Sequence, residues 1–75
     1  MEADALSDVV RAQFPNARIE VRGGDGRYEV FIVSEDFRDL SRVKRQQLVY
    51  GCLADYIRDG RVHAVSIQAK TADEV

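Results

Sequence analysis

His63 is the only histidine in the chain and Cys52 the only cysteine. A neutral imidazole binds iron, copper and zinc. His63 follows a glycine turn at the opening of a short strand, a position that leaves one ring nitrogen accessible. The same position also suits a histidine at the rim of a core, satisfied by a backbone carbonyl. Cys52 falls on the apolar stripe of a helix, where cysteine behaves as a small hydrophobe. Nucleophilic catalysis needs a base oriented by a third group, and a single imidazole with a core cysteine does not assemble that set. Glu35 and Asp36 are adjacent in a loop, with nothing to separate their pKa values into an acid and a base. The run Gly23-Gly24-Asp25-Gly26 joins two strands, the wrong context for a phosphate-binding glycine loop. The residues therefore point away from an enzyme. One imidazole does not close a metal site either, so a metal bound here takes its remaining ligands from a partner.

The second feature is basic. Arg38, Arg42, Lys44 and Arg45 cluster around a helix start at which Ser41 is a good N-cap. Lys44 stands where a capping box would place glutamate, so only the serine half of that motif is present. Such a cluster is either a solvated helix face or a surface for phosphate or a protein partner. Tyr50, two turns further on, is an additional contact candidate.

The elements that must position these residues follow from periodicity. Leu6, Val9, Val10 and Phe14 recur at helical spacing, giving a helix over 3–14 that Pro15 ends. Arg18-Ile19-Glu20-Val21-Arg22 alternates as a half-buried strand. Three glycines within 23–26 supply positive φ for a hairpin, and the return strand covers 27–34. Its centre, Val30-Phe31-Ile32-Val33, is continuously apolar, as in a central strand covered at least partly on both faces. A helical turn is expected around 36–39. A helix then runs from Arg42 to about Arg58 with Val49, Cys52, Leu53, Tyr56 and Ile57 as its core stripe, extended backward by Val43. Gly51 inside it implies a close neighbour, and Asp59-Gly60 stops it. The last strand, 62–69, places His63, Val65, Ile67 and Ala69 on one face and Val62, Ala64, Ser66 and Gln68 on the other. Residues 70–75 read as a fraying tail. The order α-β-β-α-β gives a two-layer α+β domain with a three-stranded mixed sheet, all 75 residues forming one domain.

Composition sets the outer limits. Hydrophobic residues make up 45% of the chain, enough for a core. One cysteine excludes an internal disulfide and a C-x-x-C motif, which suits a reducing compartment. No apolar run approaches a membrane span of about 20 residues, and the acidic N-terminus is unlike a targeting peptide. A soluble, cytoplasmic protein, monomeric by itself, is expected. The net charge of −2 gives the whole molecule no pull on nucleic acid.

The segment SRVKRQQLVYG, followed by the strand HAVSI, resembles the BolA/IbaG family of small bacterial and organellar proteins, and the resemblance covers most of the chain. It implies a class II KH-like fold, with the further C-terminal helix common in that family missing here or reduced to a turn. It also implies a function: association with a monothiol glutaredoxin of CGFS type and a [2Fe–2S] cluster shared between the two proteins. The partner and its glutathione supply thiolates, and the BolA-type chain supplies the histidine that matches His63. The family often adds a histidine or cysteine from the first hairpin loop. Here that loop, 23–28, has neither, and Asp25 is its one weak candidate ligand. BolA-like proteins are also described as DNA-binding regulators, so nucleic-acid binding through Arg38, Arg42, Lys44 and Arg45 is the alternative. Against it, the helix entry Asp39-Leu40-Ser41-Arg42 lacks the G-x-x-G of KH domains, and aromatics free for base stacking are scarce.

Overall fold

The computed structural model describes residues 2–75. In chain order it contains α1 (Glu2–Gln13), β1 (Arg18–Gly24), β2 (Arg27–Val33), a 3-10 turn (Glu35–Phe37), α2 (Arg42–Cys52), α3 (Ala54–Arg58), β3 (Ala64–Lys70) and a closing 3-10 turn (Ala72–Glu74). The strands form one mixed sheet in the order β1-β2-β3. β2 pairs antiparallel with β1, from Arg18 opposite Val33 to Gly24 opposite Arg27, and parallel with β3, from Arg27 opposite Ala64 to Val33 opposite Lys70. The architecture is the two-layer α+β arrangement expected from the pattern.

One sheet face is buried under the helices. Tyr28, Val30 and Ile32 of β2 and Ile67 of β3 meet Leu6, Val10 and Phe14 from the first helical segment and Val49 and Leu53 from the second. The apolar run in β2 does mark the central strand, but its other face is only partly covered: Phe31 and Val33 are half-buried, while Glu29 is exposed. Between β2 and α2, the Ser34 hydroxyl accepts from the Asp36 N–H and caps the 3-10 turn. This turn drives Phe37 fully into the core, its ring 5.2 Å from that of Phe14.

Three sequence expectations are corrected. First, the helix over 42–58 is two helices. At Leu53 the backbone turns to φ −100°, ψ 4°, and its N–H bonds to Tyr50 O at 3.0 Å, a tightened final turn that ends α2. Second, Val43 is 64% exposed and does not extend the core stripe. At about 100° per residue, Val43 lies some 120° around the helix from Val49, whereas Arg42, Arg45 and Gln46 lie within about 60° of it. The sheet-facing side of α2 is thus apolar at its C-terminal end and polar at its N-terminal end, where it lies over the outer edge of β3. Third, residues 70–75 do not fray. Lys70 is in β3, Thr71 is 1% exposed, and Thr71 and Glu74 form a capping box. Residues Ala72–Glu74 form a 3-10 turn.

Smaller shifts accompany these. β3 begins at Ala64, so His63 precedes the strand, and Val62 is buried rather than on the wet face. Gly60, at φ 86°, lets the chain fold back so that the Val62 N–H reaches Tyr56 O at 3.1 Å. In the hairpin, Gly24 does not take positive φ; Asp25 does, at φ 55°, followed by Gly26 at 82°. Two successive left-handed residues between paired strands are the type I′ turn whose twist matches the sheet.

The glycines give a prediction. A Cβ at Gly51 would meet nothing within 4 Å, so no close neighbour requires glycine there. Gly51→Ala is expected to stabilise the fold by about 1 kcal/mol, raising the melting temperature by about 4–8 °C. At Gly23, φ is 124° and a Cβ would lie 2.2 Å from Arg27 O. Gly23→Ala is expected to lower the melting temperature sharply. Thermal unfolding followed by circular dichroism checks both signs.

Candidate functional site

His63 is exposed, and what seats it is the hairpin between β1 and β2. The carbonyl of Gly26 accepts two backbone hydrogen bonds, from His63 N at 2.7 Å and Ala64 N at 3.0 Å. The imidazole covers the glycine itself: a Cβ on Gly26 would lie 3.0 Å from Nδ1 and 3.1 Å from Cγ. Gly26 is buried as a result, although it sits in a turn. Only a residue that tolerates φ 82° and has no side chain fits beneath the ring. With Cε1 also at 3.4 Å, three ring atoms lie at nearly the same distance, so the imidazole packs over Gly26 by its face.

This places His63 against the 23–28 hairpin loop. Asp25, in the left-handed region beside Gly26, is exposed at the tip of the turn. Among the described residues no three His, Cys, Asp or Glu side chains come together as a metal cage. Cys52 belongs elsewhere. It is half-buried beside a depression lined by Gln13, Phe14, Asp36, Leu48 and Gly51, its thiol bonded to Leu48 O at 3.5 Å, and burial pushes its pKa up. A thiol held protonated is a poor ligand and nucleophile. The donor set therefore fits half of a metal site, one presented imidazole with no soft donor beside it.

The basic cluster divides in two. Ser41 uses its hydroxyl to cap α2, accepting from Lys44 N at 3.1 Å as expected. Arg38 is tied by Nε to Glu35 at 2.7 Å and by Nη2 to Asp73 at 3.0 Å. The Arg45 side chain is only 14% exposed. It donates to Leu40 O at 3.0 Å, to Ala69 O at 3.2 Å, and through both terminal nitrogens to Glu74, at 2.6 and 3.2 Å. Arg38 and Arg45 thus fasten the C-terminal turn to the body of the fold. Arg42 and Lys44 make no ion pair among the described residues and remain as the outward charges. Tyr50 is 45% exposed on the same helix.

Sequence reasoning missed three contributors. Gly26 was read as a turn residue and not as the floor of the histidine. Asp73 and Glu74 were read as a frayed tail, although Thr71-Ala72-Asp73-Glu74 has the T-x-x-E capping-box spacing that signals a structured turn. Gln46, whose Nε2 donates to Ile67 O at 2.6 Å, left only one trace, its helical phase near Val49.

The fold and the seated imidazole define a class, a small two-layer α+β domain with one exposed histidine at a strand entrance. Comparison with known proteins makes the assignment specific. Residues 7–74 match the family described as BolA-like protein. The acid stress protein IbaG of Escherichia coli K12 is 42% identical over 74 residues, covering 99% of this chain and 88% of that one. BolA1 from Arabidopsis thaliana superposes with a TM-score of 0.89 at 26% identity, covering 100% and 96% of the two chains. The BolA domain of SufE1 from the same plant does so with a TM-score of 0.89 at 30% identity, covering 99% and 95%. The chain belongs to the BolA-like family.

The C-terminal fastening has a defined pH window. Hydrogen bonds from the Arg45 guanidinium and the Thr71 N–H hold Glu74 down to about 2, from an ordinary 4.5. The Thr71 hydroxyl and Arg38 do the same for Asp73, to about 2 from 3.8. A depressed folded-state pKa contributes stability that is complete above the ordinary value and is lost as pH falls through the depressed one. The turn should therefore stay closed above about pH 4.5 and open progressively toward pH 2. The Thr71 amide resonance is expected to titrate with a midpoint near 2, and in Glu74→Gln to exchange faster at neutral pH with that titration lost. A midpoint at the ordinary glutamate value would contradict the fastening.

Proposed function

We propose that this chain is a non-enzymatic, cytoplasmic partner of a monothiol CGFS glutaredoxin, lending His63 to a [2Fe–2S] cluster that the two proteins share for iron–sulfur trafficking or iron regulation. The observation that carries the reading is the seating of His63. Its backbone is pinned by the Gly26 carbonyl, the imidazole packs over the buried glycine, and the residue stays exposed. A metal site with one such donor per chain makes sense when the other donors arrive on a second protein. When bound, an imidazole in place of a thiolate raises the potential of a [2Fe–2S] centre and gives it a protonatable ligand. The chain's own part is to orient the ring. Arg42, Lys44 and Tyr50 supply the docking surface around the start of α2, with Arg38 and Arg45 holding its underside. Asp25 stands beside the histidine as an oxygen donor, a poor match for an iron–sulfur iron.

The nucleic-acid alternative draws on the same helix start. It is weakened because two of its four basic side chains are already neutralised by Glu35, Asp73 and Glu74.

Two variants test the proposal. Mixed with a cluster-loaded CGFS glutaredoxin, the wild-type chain is expected to change the visible absorption and circular-dichroism spectra, and His63→Ala to leave those of the glutaredoxin alone. Gly26→Ala pushes the imidazole off its seat, and a displaced supporting group costs about tenfold or more in metal-site affinity. Its shared cluster should therefore decay about tenfold faster. Identical spectra and lifetimes for wild type and His63→Ala would show that His63 is not a ligand.

A further inference from the structure

Where the first turns of α2 lie over the sheet edge, they leave a groove of about 750 Å³ beside β3. Arg42, Arg45 and Gln46 form one wall and the backbone of 66–70 the other, with Leu40 and Glu74 also in its lining. The direction of the strand's polar groups can be read from its contacts. Ala64 N bonds to Gly26 O, and Lys70 O accepts from Ser34 N at 2.9 Å, so 64 and 70 face β2. Ile67 O and Ala69 O accept instead from Gln46 and Arg45, so 67 and 69 face outward. In a strand the N–H and C=O of a residue point the same way and alternate along the chain. The amides of Val65, Ile67 and Ala69 therefore point out of the sheet along an edge that has no neighbouring strand among the described residues.

The groove is consequently asymmetric in chemistry. The Ile67 and Ala69 carbonyls are covered by side-chain donors, whereas no side-chain acceptor meets their amides among the described residues, and Arg42 lines the same groove. The protein already shows what such a wall accepts. Next to it, the Glu74 carboxylate is held by the Arg45 guanidinium and the Thr71 amide at 2.6 and 2.8 Å, a guanidinium paired with a backbone N–H. Arg42 with the Ile67 and Ala69 amides repeats that pair of donor types along the groove.

We infer that this groove binds an extended, carboxylate-rich segment of a partner protein, laid along β3 with acceptors on the Ile67 and Ala69 amides and a side-chain carboxylate on Arg42. The inference builds on the helix start as a docking surface and is independent of the cluster. A second copy of the chain fits poorly, because the N–H groups of an added strand would meet carbonyls already engaged by Gln46 and Arg45. A nucleic acid fits less well than a peptide: the groove's apolar lining is Leu40, Ile67 and Ala69, with no aromatic for base stacking.

The test uses the full chain labelled with 15N, titrated with the blocked peptide Glu-Val-Glu-Val-Glu, its counterpart Lys-Val-Lys-Val-Lys, and oligo-dT. The acidic peptide is expected to shift the Val65, Ile67 and Ala69 amides, slow their exchange, and bind more weakly as salt rises. Arg42→Glu should weaken it by about fivefold or more, since a charge-assisted contact becomes a repulsion. Arg11→Glu, on α1, should leave it unchanged. Equal binding of the basic peptide, shifts centred on the hairpin or the open sheet face, tighter binding of oligo-dT, or indifference to Arg42→Glu would each overturn the inference. Neither cluster nor glutaredoxin enters this readout. His63→Ala should bind the peptide as wild type does, so the failure of either proposal is told apart from failure of the other.

Discussion

The carbonyl of Gly26 is the contact on which the rest of the structure turns. By accepting from both His63 N and Ala64 N it does two things at one atom. It starts β3 in register against β2, with Arg27 opposite Ala64, and so sets which β3 side chains enter the core. It also fixes the backbone of the residue just before the strand, so that the imidazole lies over the turn. Both effects need the left-handed conformation of Asp25 and Gly26, which the two-residue hairpin imposes. Strand register and the placement of the imidazole are therefore one constraint, and a change at Gly26 acts on both.

A second set of contacts closes the opposite end of the same strand. Ala69 O, Leu40 O and Glu74 converge on the Arg45 guanidinium, and Asp73 joins Arg38. A planar guanidinium with several fixed donors suits this better than an ammonium would. The consequence for function is subtractive. Charges that look like a single basic patch along the sequence are sorted by the fold into two that secure the C-terminal turn and two that stay exposed.

Much of this was legible before the structure. Alternation in 18–22 and the apolar run Val30-Phe31-Ile32-Val33 identified an outer and a central strand, Ser41 identified the start of α2, and Gly60 identified the stop after α3. Those signals are local, and local backbone preferences settle them. What stayed hidden depends on contacts between residues far apart in sequence. The order of residues 71–75 depends on arginines 29 and 35 residues earlier in the chain. Gly26 as a seat for His63 joins positions brought together only by the parallel pairing of β2 with β3. Val43 was a misassigned phase: it is apolar, but it stands on the wrong side of its helix.

The account's central claim is that the one imidazole of this chain is presented as a ligand for a metal centre completed by another protein. Because His63 is the only histidine, feeding a histidine auxotroph with histidine 15N-labelled in the ring places the label in that imidazole alone. The decisive measurement is pulsed electron paramagnetic resonance on the reduced complex of the labelled chain with an unlabelled, cluster-loaded monothiol glutaredoxin. A strong 15N hyperfine coupling to the cluster spin, absent from the glutaredoxin alone, is the predicted result. A complex that forms and holds its cluster but shows no 15N coupling would contradict it.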